Sequence, residues 1–314
     1  MTHDIWQKVQ RNGWVAVQQH VPTDASEAFY LCVLAYHHQA VEIAHRLAGS
    51  ALQFDRANRL FQEMVTFLTD LQNGQRHDAY VEPAGFEAFI RGGGNVPLYE
   101  NVSSRLGQVY AGYANLRLLD IGTGDGYALL PALTSQVAHV DVIEPSTAMV
   151  NKLANALDVC SQTYTSHNQT VQAFMEETDA SQHWEMVQST FALQSLPVTE
   201  RRGVLAWLRT HTSRLLIAEF DVPQFADTLA PQYAAYVMDR FERGLAEYAV
   251  DSPVAQGFLM PVMFGYFDST AARVNYEQPA AHWESELRQA GFTRITRSHV
   301  YDYWWAPAFL LDAM

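Results

Sequence analysis

Between Ser26 and Leu71, apolar side chains recur at the three- and four-residue spacing of helices. Ala28, Leu31, Val33, Leu34 and Ala35 make a first face, and Val41, Ile43, Ala44 and Leu47 a second. Leu60, Phe61, Met64, Val65, Phe67, Leu68 and Leu71 make a third, which Asn73-Gly74 stops. After Phe86 to Ile90 and the run Gly92-Gly93-Gly94, a further helix is predicted from Pro97 to about Tyr110. The period then changes. Leu118 to Ile121, Val140 to Ile143, Gln162 to Ser166, Glu185 to Ser189 and Arg214 to Ala218 read as short buried strands. Helical segments separate them, one of them Tyr127 to Thr134. Such alternation predicts a mostly parallel, doubly wound α/β sheet. The alternation breaks after Asp221. Pro223 to about Asn275 reads as an insertion with one long helix, Ala230 to Tyr248, and an aromatic, Met-rich loop, Gly257 to Phe267. A helix from Ala280 to Ala290 follows, stopped by Gly291, with strands near Thr293 to Val300 and Ala308 to Leu311.

The organisation expected is a helical region over residues 1–95 and an α/β core over 96–314 that carries the insertion at about 223–275. A chain of 314 residues has room for one large core or two smaller ones. No apolar run approaches the ~20 residues of a bilayer span, so no membrane association is expected. The start, Met1 to Lys8, lacks the basic-then-apolar layout of a secretion signal. With Cys32 and Cys160 alone there is no disulfide framework, and a cytoplasmic protein is expected. The formal charge of −14, from 34 acidic and 20 basic residues, disfavours a phosphate backbone as partner, so no nucleic-acid substrate is expected. An apolar helical face in the N-terminal region would suit a homodimer.

The strongest chemical signal is Leu118-Leu119-Asp120-Ile121-Gly122-Thr123-Gly124-Asp125-Gly126, an apolar strand entering a turn with glycine at every second position. Glycine takes positive φ freely and lets backbone approach a ligand closely. The helix start beyond it offers free N–H groups. Glu144 ends the second strand, where a carboxylate can accept both hydroxyls of a ribose. On these residues the chain resembles the class I S-adenosylmethionine (SAM)-dependent methyltransferases, over roughly Arg117 to Leu311. The resemblance implies a Rossmann-like, mostly parallel seven-stranded sheet, with SAM as donor and S-adenosylhomocysteine as product. It places Asp120, Gly122 and Gly124 at the methionine end, with Thr123, Asp125 and Gly126 completing the turn. It places Glu144 on the ribose, with Pro145, Ser146 and Met149 beside it. The glycine spacing differs from the Gly-x-Gly-x-x-Gly of pyrophosphate binders, which argues against a nicotinamide oxidoreductase.

Other segments carry weaker signals. Asn168 to Phe174 resembles the loop that receives adenine, with Thr170, Val171 and Gln172 as candidates; an ordinary polar turn reads the same way. Ser189, Thr190 and Phe191 end the fourth strand, on the carboxyl side where open α/β sheets bind ligands. The segment after them lacks the Asn/Asp-Pro-Pro-Tyr-type sequence of many nucleic-acid and protein amide N-methyltransferases, which favours a small-molecule or short-peptide acceptor. Tyr99 is placed to touch SAM or to serve as a core tyrosine, and Gly92 to Gly94 to hug a ligand or to hinge two domains. Phe258, Met260, Met263, Phe264 and Tyr266 suit an acceptor pocket, or packing against the N-terminal helices. Tyr303-Trp304-Trp305 could stack on an acceptor or cover a sheet edge. His282 is a candidate general base or a surface residue. No metal is expected: His37 and His38 point ~100° apart on a helix, and there is no His-Glu-x-x-His.

The function expected is methyl transfer from SAM to an O or N nucleophile of a small molecule or short peptide, in specialised metabolism. A non-catalytic SAM-binding or scaffold subunit is the alternative, which the intact Asp120, glycines and Glu144 disfavour.

Overall fold

The computed structural model describes residues 2–75 and 83–314. Two compact units make up the chain, one of Met1–Val96 with Gln224–Ala272, the other of Pro97–Pro223 with Arg273–Met314. The insertion therefore clusters with the N-terminal helices.

The first unit is helical. It contains α1 (Thr2–Asn12), α2 (Ala25–His37), α3 (Val41–Phe54), α4 (Arg59–Gln72), α5 (Pro83–Ile90), α11 (Pro231–Ala246) and α12 (Met260–Gly265), and α6 (Asn95–Tyr110) starts at its end. Helix α2 is buried without a break from Glu27 to Ala35, as a helix apolar all round must be. Its start is fixed by the Asp24 carboxylate, which accepts the Glu27 N–H. Helix α1 had no counterpart in the sequence pattern.

The expected loop Gly257 to Phe267 is instead helical, a π-turn (Ala255–Leu259) running into α12. Pro261 follows the π-turn inside a continuous helical run, where it lacks the N–H of a helical hydrogen bond. Met260, Met263 and Phe264 are fully buried and Phe258 nearly so, while Tyr266 is half-buried. Phe264 stacks on Phe67 at 4.9 Å and Phe258 on Phe89 at 4.0 Å, so these side chains pack against the N-terminal helices. Where α5 crosses the π-turn, a Cβ added to Gly85 would lie 2.6 Å from the Gly257 backbone. Gly85→Ala is expected to cost about 1–3 kcal/mol through overpacking. Thermal unfolding of the variant measures it, and an unchanged midpoint would show that the two backbones can part freely.

The three consecutive glycines are closed upon by protein. Gly94 N–H donates to Glu247 Oε2 at 2.8 Å, and Tyr248 Oη donates to the Phe89 carbonyl at 3.0 Å. A Cβ on Gly93 would fall 2.7 Å from the Tyr248 ring.

The second unit is a seven-stranded sheet of order β3-β2-β1-β4-β5-β7-β6. Its strands are β1 (Leu116–Ile121), β2 (Val137–Ile143), β3 (Tyr164–His167), β4 (Met186–Thr190), β5 (Leu215–Phe220), β6 (Ile295–Asp302) and β7 (Pro307–Ala313). The first five are parallel, and β7 is antiparallel to both β5 and β6. Around it run α7 (Leu129–Ala132), α8 (Thr147–Val159), α9 (Val171–Glu177), α10 (Val198–His211) and α13 (Ala280–Gln289). Helix α7 is much shorter than the expected Tyr127 to Thr134. Leu119, Val187 and Ile217 share a core with Leu205 and Leu208 of α10 and Trp283 of α13. Strand order reverses between β1 and β4, which opens a crevice at their carboxyl ends.

Candidate active site

The turn after β1 is built by its glycines. Gly122, Gly124 and Gly126 all have positive φ, 69°, 60° and 82°. A Cβ on Gly122 would overlap that of Ala192, and one on Gly126 would meet Leu153 at 2.6 Å. Gly124 has open space in front of it, so its φ alone disfavours other residues. The turn is tied to β2 by Gly122 N–H donating to the Ile143 carbonyl at 2.8 Å, and Thr123 Oγ1 closes it on the Asp120 carbonyl.

Glu144 sits against this turn. Its Oε2 accepts the Gly124 N–H at 3.0 Å and its Oε1 the Ser146 N–H at 2.8 Å. Ser146 Oγ in turn accepts the Met149 N–H and caps α8. Asn168 donates to the carbonyls of Glu144 and Pro145, both at 3.0 Å, joining the loops after β2 and β3. The loop after β3 is occupied with its own structure. Thr170 caps α9 through the Ala173 N–H, Val171 is buried, and Gln172 donates to Glu200 at 2.8 Å.

Asp120 is 3% exposed and faces Gln188, its register partner on β4. Burial pushes its carboxyl up to about 7, Gln188 and Thr123 pull the other way, and the Glu144 charge adds to the rise. Gln188 is wholly buried; its Oε1 accepts the Tyr110 hydroxyl, and its amide N–H is turned to the Asp120 carboxylate. A buried carboxylate beside an amide N–H suits an amino-acid end, an ammonium with a carboxylate. Gln188 and Tyr110 were not among the expected site residues. A glutamine within an otherwise buried strand was the available signal.

At the end of β4, Ser189 Oγ donates to the Ile121 carbonyl, while the Thr190 hydroxyl is buried without a partner. Phe191 holds a left-handed backbone, φ 52°, which costs a side-chain-bearing residue about 1–2 kcal/mol. Strain of this kind concentrates at functional sites. Rings surround it: Phe191 meets Tyr99 edge-on at 5.7 Å and stacks on Phe220 at 4.4 Å, and Tyr99 meets Tyr127 at 4.5 Å. Phe220 stacks on Tyr303 at 5.2 Å, and Tyr303 meets Trp304 at 5.4 Å. An aromatic ladder thus follows the carboxyl edge from the glycine turn to the end of β6.

Beneath it lies a buried polar network. Glu219 Oε1 accepts the Gln194 N–H at 3.1 Å, and Gln194 Nε2 reaches back to the Phe191 carbonyl. Arg201 is wholly buried, pairs with Glu286 at 2.9 Å and donates to the carbonyls of Leu196 and Tyr276. His282 is exposed on α13. Among the described residues no cluster of His, Cys, Asp and Glu could hold a metal ion, and no helix is long and apolar enough to cross a membrane.

Residues 87–297 match the methyltransferase-domain family, two thirds of the chain. The chain belongs to this family. Methyl transfer from SAM is the family's chemistry, and the resemblance read from the sequence holds at that level. No curated protein matches the methyltransferase in sequence. Solved structures similar to it include magnesium protoporphyrin IX methyltransferase from Synechocystis PCC 6803 with bound S-adenosylhomocysteine, at 16% identity over 74% of this chain and 95% of that one, TM-score 0.48. They include the small RNA methyltransferase HEN1, at 10% identity over 69% of this chain and 25% of that one, TM-score 0.47. A putative methyltransferase in complex with the Haloferax volcanii Trm112 activator is similar at 12% identity, over 74% and 96%, TM-score 0.46.

Proposed function

We propose that SAM binds over the glycine turn of the second unit and that its methyl group passes to an O or N nucleophile of a small molecule or short peptide. SAM supplies a methyl group activated by a positively charged sulfur. Asp120 faces the ammonium of the methionine end and Gln188 Nε2 its carboxylate. Glu144 accepts the ribose hydroxyls, with Pro145, Ser146 and Met149 flanking it, and Thr170 to Gln172 border the adenine. Ser189, Thr190, Phe191 and Tyr99 stand between donor and acceptor. One observation carries the reading: three glycines at positive φ form a turn onto which the Glu144 carboxylate is already folded. The protein's contribution is then to align nucleophile, methyl and sulfur, an orientation effect of up to about 7–11 kcal/mol.

Calorimetric titration with SAM and with S-adenosylhomocysteine tests this. Both should bind, and Glu144→Ala should weaken both by about 10- to 100-fold, the value of hydrogen bonds to a charged group. Absence of heat with either ligand would overturn the proposal. Methyl transfer from labelled SAM into a metabolite extract separates an enzyme from a scaffold.

A further inference from the structure

The aromatic ladder ends at a carboxylate. Trp305 meets Trp304 at 6.0 Å, and its Nε1–H donates to Glu277 Oε1 at 2.8 Å. Glu277 is half-buried, and the Trp305 N–H holds its carboxylate through Oε1. The chain holds it just past the ends of β4 and β5. Tyr276 N–H donates to the Gln194 carbonyl at 2.7 Å, and Gln278 bridges to Asp221, the residue after Phe220. Arg201 clamps the same segment from below. Two half-buried stacked rings, Phe191 and Phe220, thus lie at the strand ends past which the chain holds the Glu277 carboxylate.

We infer that the acceptor is a planar aromatic molecule bearing a hydroxyl or amino group, stacked on Phe191 and Phe220, and that Glu277 takes its proton. The inference rests on the donor site proposed above. In the step, a lone pair of the acceptor oxygen or nitrogen forms the bond to the methyl carbon. The carbon–sulfur bond breaks with its electrons staying on sulfur, and the acceptor proton passes to Glu277 Oε2. The charged and titratable groups around Glu277 are Glu219 on β5, Arg273 on its own segment, and Arg201 on α10 next to Glu219. Burial raises the Glu277 carboxyl to about 7, against the pull of the Trp305 N–H and Arg273. A base with that value works at neutral pH.

The test uses the full chain, labelled SAM, and a panel of hydroxylated and aminated aromatic acids, with aliphatic hydroxy and amino acids of similar size as controls. Transfer should be confined to the aromatic set. Glu277→Gln should lower kcat by about 10²-fold or more and remove the acidic limb of its pH profile, leaving the calorimetric affinity for SAM unchanged. Glu277→Asp should restore part of the rate. Phe220→Ala should abolish binding of the accepted aromatic to the S-adenosylhomocysteine complex, read by calorimetry. Transfer to the aliphatic set alone, no transfer to any aromatic while SAM still binds, or an unaltered pH profile in Glu277→Gln would overturn the inference. Loss of SAM binding itself would instead strike the donor-site proposal.

Discussion

Gly122→Ala is expected to abolish measurable SAM binding and to lower the unfolding midpoint by on the order of 10 °C. Two costs add. A side chain at φ 69° costs about 1–2 kcal/mol, and forcing a Cβ into Ala192 costs about 1–3 kcal/mol more. Ala192 follows Phe191, so relief of the clash must push the end of β4 away from the turn. Gly124→Ala is the informative comparison. Its φ is similarly positive, at 60°, but a Cβ there meets nothing within 4 Å. That variant should lose only the conformational term, about 1–2 kcal/mol, and keep its fold. Thermal unfolding by circular dichroism, with SAM calorimetry on each variant, measures both. Equal losses in the two would show that the Ala192 contact does not govern the turn.

That contrast also marks what the sequence could carry. The alternation of glycine after Leu118 to Ile121 is local, and so is the chemistry it dictates: positive φ, close approach and a free helix start. The strands were legible for a similar reason, since parallel strands buried on both faces leave continuous apolar runs. Within the insertion, the Gly257 to Phe267 segment was misread as a loop because Gly257, Pro261 and Gly265 are local breakers, whereas its helical state comes from burying Phe258, Met260 and Phe264 against distant helices. The Gly92 to Gly94 run reads as a ligand contact or a hinge because nothing nearby announces Glu247 and Tyr248, which arrive some 150 residues later and fill it. Phe191 gives no sign of its left-handed backbone, which is imposed by the hydrogen bond to Ala218 and the rings of Tyr99 and Phe220. Gln188 was visible as a polar residue in a buried strand. Its meeting with Asp120 depends on the β1–β4 register, which only the folded sheet defines.

Asp120→Asn should move stability and binding in opposite directions. The wild-type carboxyl titrates at about 7 in the folded chain because burial opposes its charge, while an unfolded aspartate titrates near 3.8. The folded state therefore binds the proton more tightly. Its contribution to stability is greatest below the unfolded value, is lost as pH rises from about 4 to about 7, and stays lost above that. Asparagine carries no charge to desolvate, so the variant should be more stable than wild type at pH 8 and should lack this part of the pH dependence. Binding responds the other way. An ammonium facing Asp120 favours the ionised form, so SAM affinity should climb as pH rises towards 7, with a proton released on binding at lower pH. The variant should lose about 1.5–3 kcal/mol of affinity, roughly 10- to 150-fold, together with that climb. Titrations in two buffers of different ionisation enthalpy count the proton directly. A wild-type affinity flat between pH 5 and 8, or a variant that binds SAM as tightly at pH 8, would remove Asp120 from the donor site. The buried carboxylate would then be a structural partner of Gln188 and Tyr110.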